Sequence, residues 1–357
     1  MGPIEEKLSE LEARLLQDLA WLELPAKRWV IERLHNGSPV LEVAIIGGGM
    51  AGLSAAGALK MMGVQALVFD KSPEGFEGPW VTTARMETLR SPKQLTGPAL
   101  GIPSLTFRAW YECQFGLSAW DELDKIPRLQ WMDYLRWYRK VLKLEVLNLH
   151  EVKKVHPRTD QLVELHIQSP TGLQTVYARR LIMATGRDGL GGAYLPEIAK
   201  TIPDHYWAHS SDAFDYSTLR NKRVGVVGAG ASAMDSAATA LEEGAAQVDL
   251  IVRRTDLPRI NKGKGAGNAG MVQGFAHLSP QWKWRIRHYL GTQQVPSPRG
   301  STLRVSQFSN AKFNLGCALE KIEIENEKVI SHEEVGDIHV KTSPLKGVSI
   351  GGDVIPN

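Results

Sequence analysis

Val43-Ala-Ile-Ile-Gly-Gly-Gly-Met-Ala-Gly52 is a short apolar run that breaks into glycines, and the pattern returns as Val224-Gly-Val-Val-Gly-Ala-Gly-Ala-Ser-Ala233. An apolar run of this length ending in glycine reads as a buried parallel strand. The small-residue stretch that follows, Met50 to Gly63, reads as a helix closed by glycine. The run "VQALVFD" then supplies a second strand, completing a βαβ unit of about 30 residues. The same order recurs in "NKRVGVVGAG", "SAMDSAATALEEG" and "QVDLIVRR". One chain therefore carries two candidate dinucleotide cradles.

In the first, Gly47, Gly49 and Gly52 fit G-x-G-x-x-G. The first glycine permits the tight turn, the second admits a pyrophosphate close to the backbone, and the third lets helix and strand pack. Gly48, Met50 and Ala51 complete the loop and the helix start, whose N–H groups and positive dipole end suit phosphate. Asp70 closes the second strand, where a carboxylate accepts from ribose hydroxyls, and Lys71 adjoins it. In the second cradle, Gly228, Gly230 and Ala233 fit G-x-G-x-x-A, with Ser232 at the helix start. Its second strand ends in Arg253-Arg254 rather than an acid. Guanidinium groups there offer planar charged donors to a 2′-phosphate, so the expected ligand is NADPH rather than NADH.

Two such cradles suit a bound FAD and a visiting NADPH, with hydride passing between them and the flavin supplying the chemistry. A disulfide acceptor needs paired cysteines. Only Cys113 and Cys317 occur, far apart and without a CxxC. Oxygen, a quinone or another protein remain as acceptors. The 357 residues allow two domains, and 43% hydrophobic with 23% charged residues is ordinary for a globular chain. A net charge of +3 gives no argument for nucleic acid or a membrane. No run of about 18 apolar residues and no signal-peptide core appears, so a cytoplasmic protein is expected. Leu8, Leu11, Leu15, Leu19 and Leu22 predict an amphipathic helix closed by Pro25.

With these residues in view, the chain resembles the single-chain FAD- and NADPH-dependent flavoprotein monooxygenases: flavin-containing, Baeyer–Villiger and N-hydroxylating. Gly78-Pro79-Trp80 is similar to their GGxW, which places Trp80 near the flavin. Ala184-Thr185-Gly186-Arg187 is similar to their ATG strand end. Residues 208–214, "AHSSDAF", stand where the family has F-x-G-x-x-x-H-S; His209 is kept, while Pro203 and His205 replace the Phe and Gly. Val152 stands where relatives contact adenine through backbone. "METLRSPKQLTGPALG" is similar to an N-hydroxylase segment. The resemblance implies oxygen transfer from a reduced flavin, with NADP bound, to a small molecule. It also implies a longer chain: relatives continue past "GVSIGGDVIPN", so this one reads as C-terminally shortened, with Gly352-Asp353 either in the role of the Gly-Asp that meets the ribityl chain or an incidental Gly-Asp.

The expected fold is α/β, with two doubly wound Rossmann-type domains and an N-terminal helical extension. The extension spans 1–38, the FAD domain 39–215, the NADP domain 216–340, and 341–357 returns toward the FAD domain. Beyond the loops, Trp80, Arg85, Val152, Thr185, Gly186 and Asp353 are expected on the cofactors. Arg90, His209 and Asn310 are the catalytic candidates: Arg90 to stabilise anionic oxygen, Asn310 to hydrogen-bond it, and His209 at the linker. Lys262 and Lys264 are placed near phosphate or on a mobile loop. Trp110, Tyr111, Trp120, Trp131, Trp137 and Tyr138 are read as core or as a substrate wall. Partners are a small substrate and O2, with a homodimer allowed. The competing functions are a flavin reductase serving a quinone or protein, and a degenerate dinucleotide-binding protein.

Overall fold

The computed structural model describes residues 3–95, 97–186, 189, 191–293, 295–325, 328–335, 338–341 and 348–350. The chain divides into two compact units, Met1–Gly192 and Ala193–Asn357.

The first unit opens with α1 (Pro3–Trp21) and a ribbon of β1 (Leu34–His35) and β2 (Ser38–Pro39). Leu15 and Leu19 are buried, as their spacing predicts. The helix ends at Trp21, ahead of Pro25, and Leu22 is exposed. The glycine loop joins β3 (Leu41–Ile46) to α2 (Met50–Met61), which returns to β4 (Ala66–Phe69). Then come α3 (Phe107–Phe115), α4 (Leu117–Glu122), α5 (Arg128–Val141), β5 (Val146–Leu147), β6 (Glu151–Pro157), β7 (Val163–Ser169) and β8 (Gly172–Met183). The sheet order is β5-β4-β3-β8-β7-β6. β3 lies parallel to β4 and β8, while β6, β7 and β8 form an antiparallel meander. So this sheet is mixed rather than purely doubly wound, and "ARRLIMATG" is the far end of one long strand.

Alternation along β3 explains the two faces of that sheet. Val43 and Ile45 point into a core with α1, α2, α3 and α5; Ala44 points into a smaller core with Phe69, Leu165 and Ile167. The aromatic residues weighed as a substrate wall belong to the larger core. Phe107 stands at its centre, with ring centroids of Trp110, Tyr111, Trp131 and Tyr134 at 5.5–5.8 Å. Tilted and edge-on contacts at these distances are favourable aromatic geometry. Burial raises the Tyr134 and Tyr138 hydroxyls far above the usual phenol range.

The second unit contains β9 (Trp207–His209), β10 (Arg223–Val227), α6 (Ala231–Glu242), β11 (Gln247–Val252), α7 (Ala269–Gly274), α8 (Pro280–Thr292), α9 (Arg299–Ser306), β12 (Ala311–Leu315), β13 (Cys317–Glu325), β14 (Lys328–Val335), β15 (Ile338–Lys341) and β16 (Val348–Ile350). Its parallel sheet runs β12-β11-β10-β16-β9, and β13-β14-β15 is a separate antiparallel sheet. Two boundaries differ from the sequence expectation. Residues 193–215 fold with the second unit, because β9 pairs with β16. Residues 348–350 also belong to this sheet, between β10 and β9, rather than to the sheet of the first unit. A polar run with no periodicity gave no sign of either pairing. No helix among the described residues is long and apolar enough to cross a membrane.

Candidate functional site

The two glycine loops share one backbone solution. Gly47 has φ +102° and Gly228 φ +103°, values that exclude most side chains. Each extends a ladder by one bond of 2.8 Å, Gly47 N–H donating to the Phe69 carbonyl and Gly228 N–H to the Ile251 carbonyl. Gly49 and Gly230 are the N-caps of α2 and α6, both extended, and neither helix start is capped by a side chain or carries an acid in its first turn. Both therefore present uncapped N–H groups at a positive dipole end, the arrangement that receives phosphate.

The glycines of the first loop are fixed by close approach. A Cβ on Gly47 would lie 2.4 Å from the Ala184 carbonyl oxygen, and one on Gly52 would lie 1.8 Å from that of Gly47. Ala184 N–H donates to the Ile46 carbonyl at 2.8 Å, so the Ala184-Thr185-Gly186 end is seated against the loop. Arg187 and Asp353 lie outside the described residues. Gly78 borders Gly49: a Cβ on either would come within 3.7 Å of the other's Cα. The Trp80 indole sits beside Gly78, and its Nε1 is buried with no hydrogen-bond partner among the described residues. Arg128 donates to the Trp80 carbonyl and holds this segment to α5. An orphaned indole donor, an uncapped helix start and a glycine-only approach fit a flavin dinucleotide.

Asp70 is buried, and its carboxylate ties the loop together. Oδ2 accepts from Gly48 N–H at 2.6 Å, and Oδ1 from Ser72 N–H at 2.7 Å. Lys71 is exposed beside it. Val152 pairs with Ile167, and the register slips between Val152 and Lys154, an irregularity that disrupts the β6–β7 ladder there. Arg85 is half-buried and donates to the Thr82 carbonyl at 2.8 Å; Arg90 is exposed, and its carbonyl accepts from Lys125.

In the second unit a Cβ on Gly230 would meet nothing within 4 Å, so open space faces the helix start. Ala233 is fully buried and packs helix on strand. Ser232 is half-buried at that start. Arg253 and Arg254 follow β11 with exposed side chains that have no hydrogen-bond or ion-pair partner among the described residues. Lys262 and Lys264 are exposed as well. His209 is engaged locally: its Nδ1 accepts from Ser211 N–H at 3.1 Å, and its own N–H donates to Asp212 at 2.7 Å.

Asn310 is a correction. It precedes β12, and its Nδ2 donates to the carbonyls of Ala245 and Ala246 at 3.0 and 3.1 Å. Those residues precede β11, so Asn310 caps the end of the parallel sheet opposite the glycine loop. Its amide is committed at that end of the sheet, away from the glycine loop. Asn310→Ala is expected to lower the stability of this unit by about 1–2 kcal/mol while leaving nucleotide affinity unchanged, measured by denaturant unfolding beside a nucleotide titration.

Sequence reasoning missed a buried polar group next to the first loop. Glu77 occupies the first glycine position of the GGxW-like segment, which was the available signal. Its carboxylate is 7% exposed and pairs with Arg139 of α5 at 2.7 Å. Asn148 Nδ2 donates to the same oxygen at 2.7 Å. A cavity of about 340 Å³ adjoins it, lined by Gly48, Leu53, Glu77, Leu135, Arg136 and Arg139 among others.

Both cysteines are free thiols. Burial pushes the Cys113 thiol up to about 11, away from the range of a reactive thiolate. The described residues hold no cluster of metal ligands.

Residues 44–266 match the family described as pyridine nucleotide-disulphide oxidoreductase. The FAD-dependent urate hydroxylase of Xanthomonas campestris pv. campestris is 40% identical over 333 residues, 92% of this chain and 70% of that one. Among solved structures, an ornithine hydroxylase from Pseudomonas aeruginosa superposes with TM-score 0.71 at 15% identity, covering 87% of this chain and 82% of its own. An ornithine N-hydroxylase from Kutzneria sp. 744 gives 0.67 at 17%, covering 87% and 80%. These two establish the mixed α/β fold with Rossmann-like sheets. The two glycine loops and the 40% relative lead to one conclusion: the chain belongs to the pyridine nucleotide-disulphide oxidoreductase family and, within it, to the FAD- and NADPH-dependent flavoprotein monooxygenases.

Proposed function

We propose that this chain hydroxylates a urate-like purine, using NADPH and O2 on a bound FAD. The observation that carries the proposal is the pair of glycine loops with matching backbone, one strand ending in Asp70 and the other in Arg253. Identity of 40% to a urate hydroxylase, across both loops, supports a urate-like substrate. The readings as an electron-transfer reductase or a degenerate binding protein are not favoured, since that relative is a hydroxylase and both cradles are intact.

The first unit is assigned to FAD and the second to NADPH, with α1 an appendage of the FAD unit. FAD, when bound, supplies hydride acceptance and oxygen activation. The chain's own residues do the rest. The starts of α2 and α6 receive the two diphosphates. Gly47, Gly49 and Gly52 admit the backbone's close approach, Trp80 offers its indole N–H, and Val152 offers backbone to the adenine. Arg85, Thr185 and Gly186 line the same end. Arg253 and Arg254 select the 2′-phosphate. Arg90 and His209 remain candidates for the reacting end, Arg90 as a cation and His209 as an ordered joint. Free thiols with no disulfide accord with a reducing, cytoplasmic setting.

The test is a coupled assay on purified protein. Bound yellow flavin should bleach with NADPH in the absence of oxygen. In air, NADPH consumption should rise with urate and give a hydroxylated product by mass spectrometry, while ornithine and lysine leave the rate unchanged. NADPH oxidation that yields only hydrogen peroxide with urate present would refute the assignment.

A further inference from the structure

We infer that Glu77, rather than Asp70 alone, is the carboxylate that accepts a cofactor hydroxyl in the first unit, with Arg139 and Asn148 as its positioning residues. The inference rests on the FAD reading above. Asp70 is placed by sequence for ribose; one of its oxygens takes Gly48 N–H of the loop, the other takes Ser72 N–H just beyond β4, and each keeps a further lone pair. Two further acids line the cavity beside the loop: Glu74, whose side chain is largely exposed, and Glu77, which is buried. Its Cγ stands 3.2 Å from where a Gly48 Cβ would be, so the side chain lies directly on the glycine turn. Its Oε1 takes both Arg139 Nη1 and Asn148 Nδ2 at 2.7 Å. No hydrogen bond falls on Oε2 among the described residues.

A carboxylate oxygen that opens on a cavity and takes no protein donor keeps its lone pairs for a ligand donor. Here the carboxylate lines a cavity beside Gly48. The orienting groups are themselves held. Arg139 donates to the Val146 carbonyl at 3.1 Å and to Asn148 Oδ1 at 3.0 Å, and Asn148 donates to the Ser72 carbonyl at 3.1 Å. Such bonds fix the direction of Oε2. Glu77 immediately precedes Gly78 and Trp80, so the same network sets the segment that offers the indole N–H. The chemistry recognised is a hydroxyl, which FAD presents on both the adenosine ribose and the ribityl chain.

Glu77→Gln keeps the shape. The amide oxygen can still accept from Arg139 and Asn148, while the position of Oε2 becomes a donor. FAD affinity of the apoprotein, measured by quenching of flavin fluorescence, should fall roughly tenfold or more. ADP affinity falls in parallel if the partner is the adenosine ribose and is unchanged if it is the ribityl chain; both outcomes support the inference. Glu77→Asp, which withdraws the carboxylate by one carbon while keeping its charge, should weaken FAD in the same direction and guards against a misfolded glutamine variant. FAD affinities within about twofold of the unmodified chain for both variants, with apoprotein melting lowered, would reduce Glu77 to a structural anchor and overturn the inference. An unmodified chain that takes up no FAD would instead overturn the functional reading.

Discussion

Gly52→Ala should leave a protein that no longer takes up FAD. The added Cβ would lie 1.8 Å from the Gly47 carbonyl oxygen, and that oxygen is backbone, so no side chain can turn aside. Either the start of α2 or the end of β3 must move. The same turn is pinned on its other side by Ala184, 2.4 Å from where a Gly47 Cβ would be. Overpacking at a site without slack costs about 3 kcal/mol or more, and the strain falls on the N–H groups proposed to receive the diphosphate. We expect at least a roughly hundredfold loss of FAD affinity by flavin fluorescence. A lower unfolding midpoint of the first unit should accompany it. A purified G52A protein that is yellow and melts like its parent would show that the loop can relax, and the argument for its rigidity would fail.

The second large effect concerns nucleotide choice. Arg253→Glu should raise the Kd for NADPH roughly a hundredfold while changing that for NADH only a few-fold. A charged hydrogen bond to phosphate contributes about 1.5–3 kcal/mol, and a glutamate adds repulsion to the loss. The side chain has the freedom this role needs: it is exposed, and no carboxylate is paired with it among the described residues. Gly230→Ala offers a contrast in the same unit. Open space surrounds a Cβ there, so folding should be unaffected and only nucleotide affinity should suffer. Isothermal titration with both nucleotides distinguishes the cases. Equal losses of NADPH and NADH in R253E would remove the 2′-phosphate argument.

Much of this was legible from local sequence because the deciding features are local. Glycines at fixed spacing impose one backbone on a strand–helix joint, and the structure repeats it to within one degree of φ at Gly47 and Gly228. The N-terminal leucine stripe and the buried face of α5 follow from helical period alone. What escaped had its cause elsewhere in the chain. The β9–β16 pairing joins segments about 140 residues apart, and neither is long enough to carry a pattern. Asn310 looked available because polar residues do. Its amide is committed to two carbonyls of the β11 entry turn. Glu77 was overlooked because the segment around it was matched by its glycine and tryptophan, while the residue that departs from the pattern was passed over. The aromatic residues left core and substrate wall both open, because spacing cannot say whether rings face one another or a ligand.

The long strand β8 passes from one neighbour to the other along its length. Its first half pairs with β7 and its second half with β3, and Ala178 stands at the changeover, meeting both Leu41 and Val163. Its last residues run straight into Ala184, the stop against which Gly47 is set. The meander on the outer edge thus acts as a rail for the glycine turn. A lesion on β7 is expected to reach the glycine turn through Ala178 and the residues of β8 that follow it, so residues distant from the proposed cradle share responsibility for its shape.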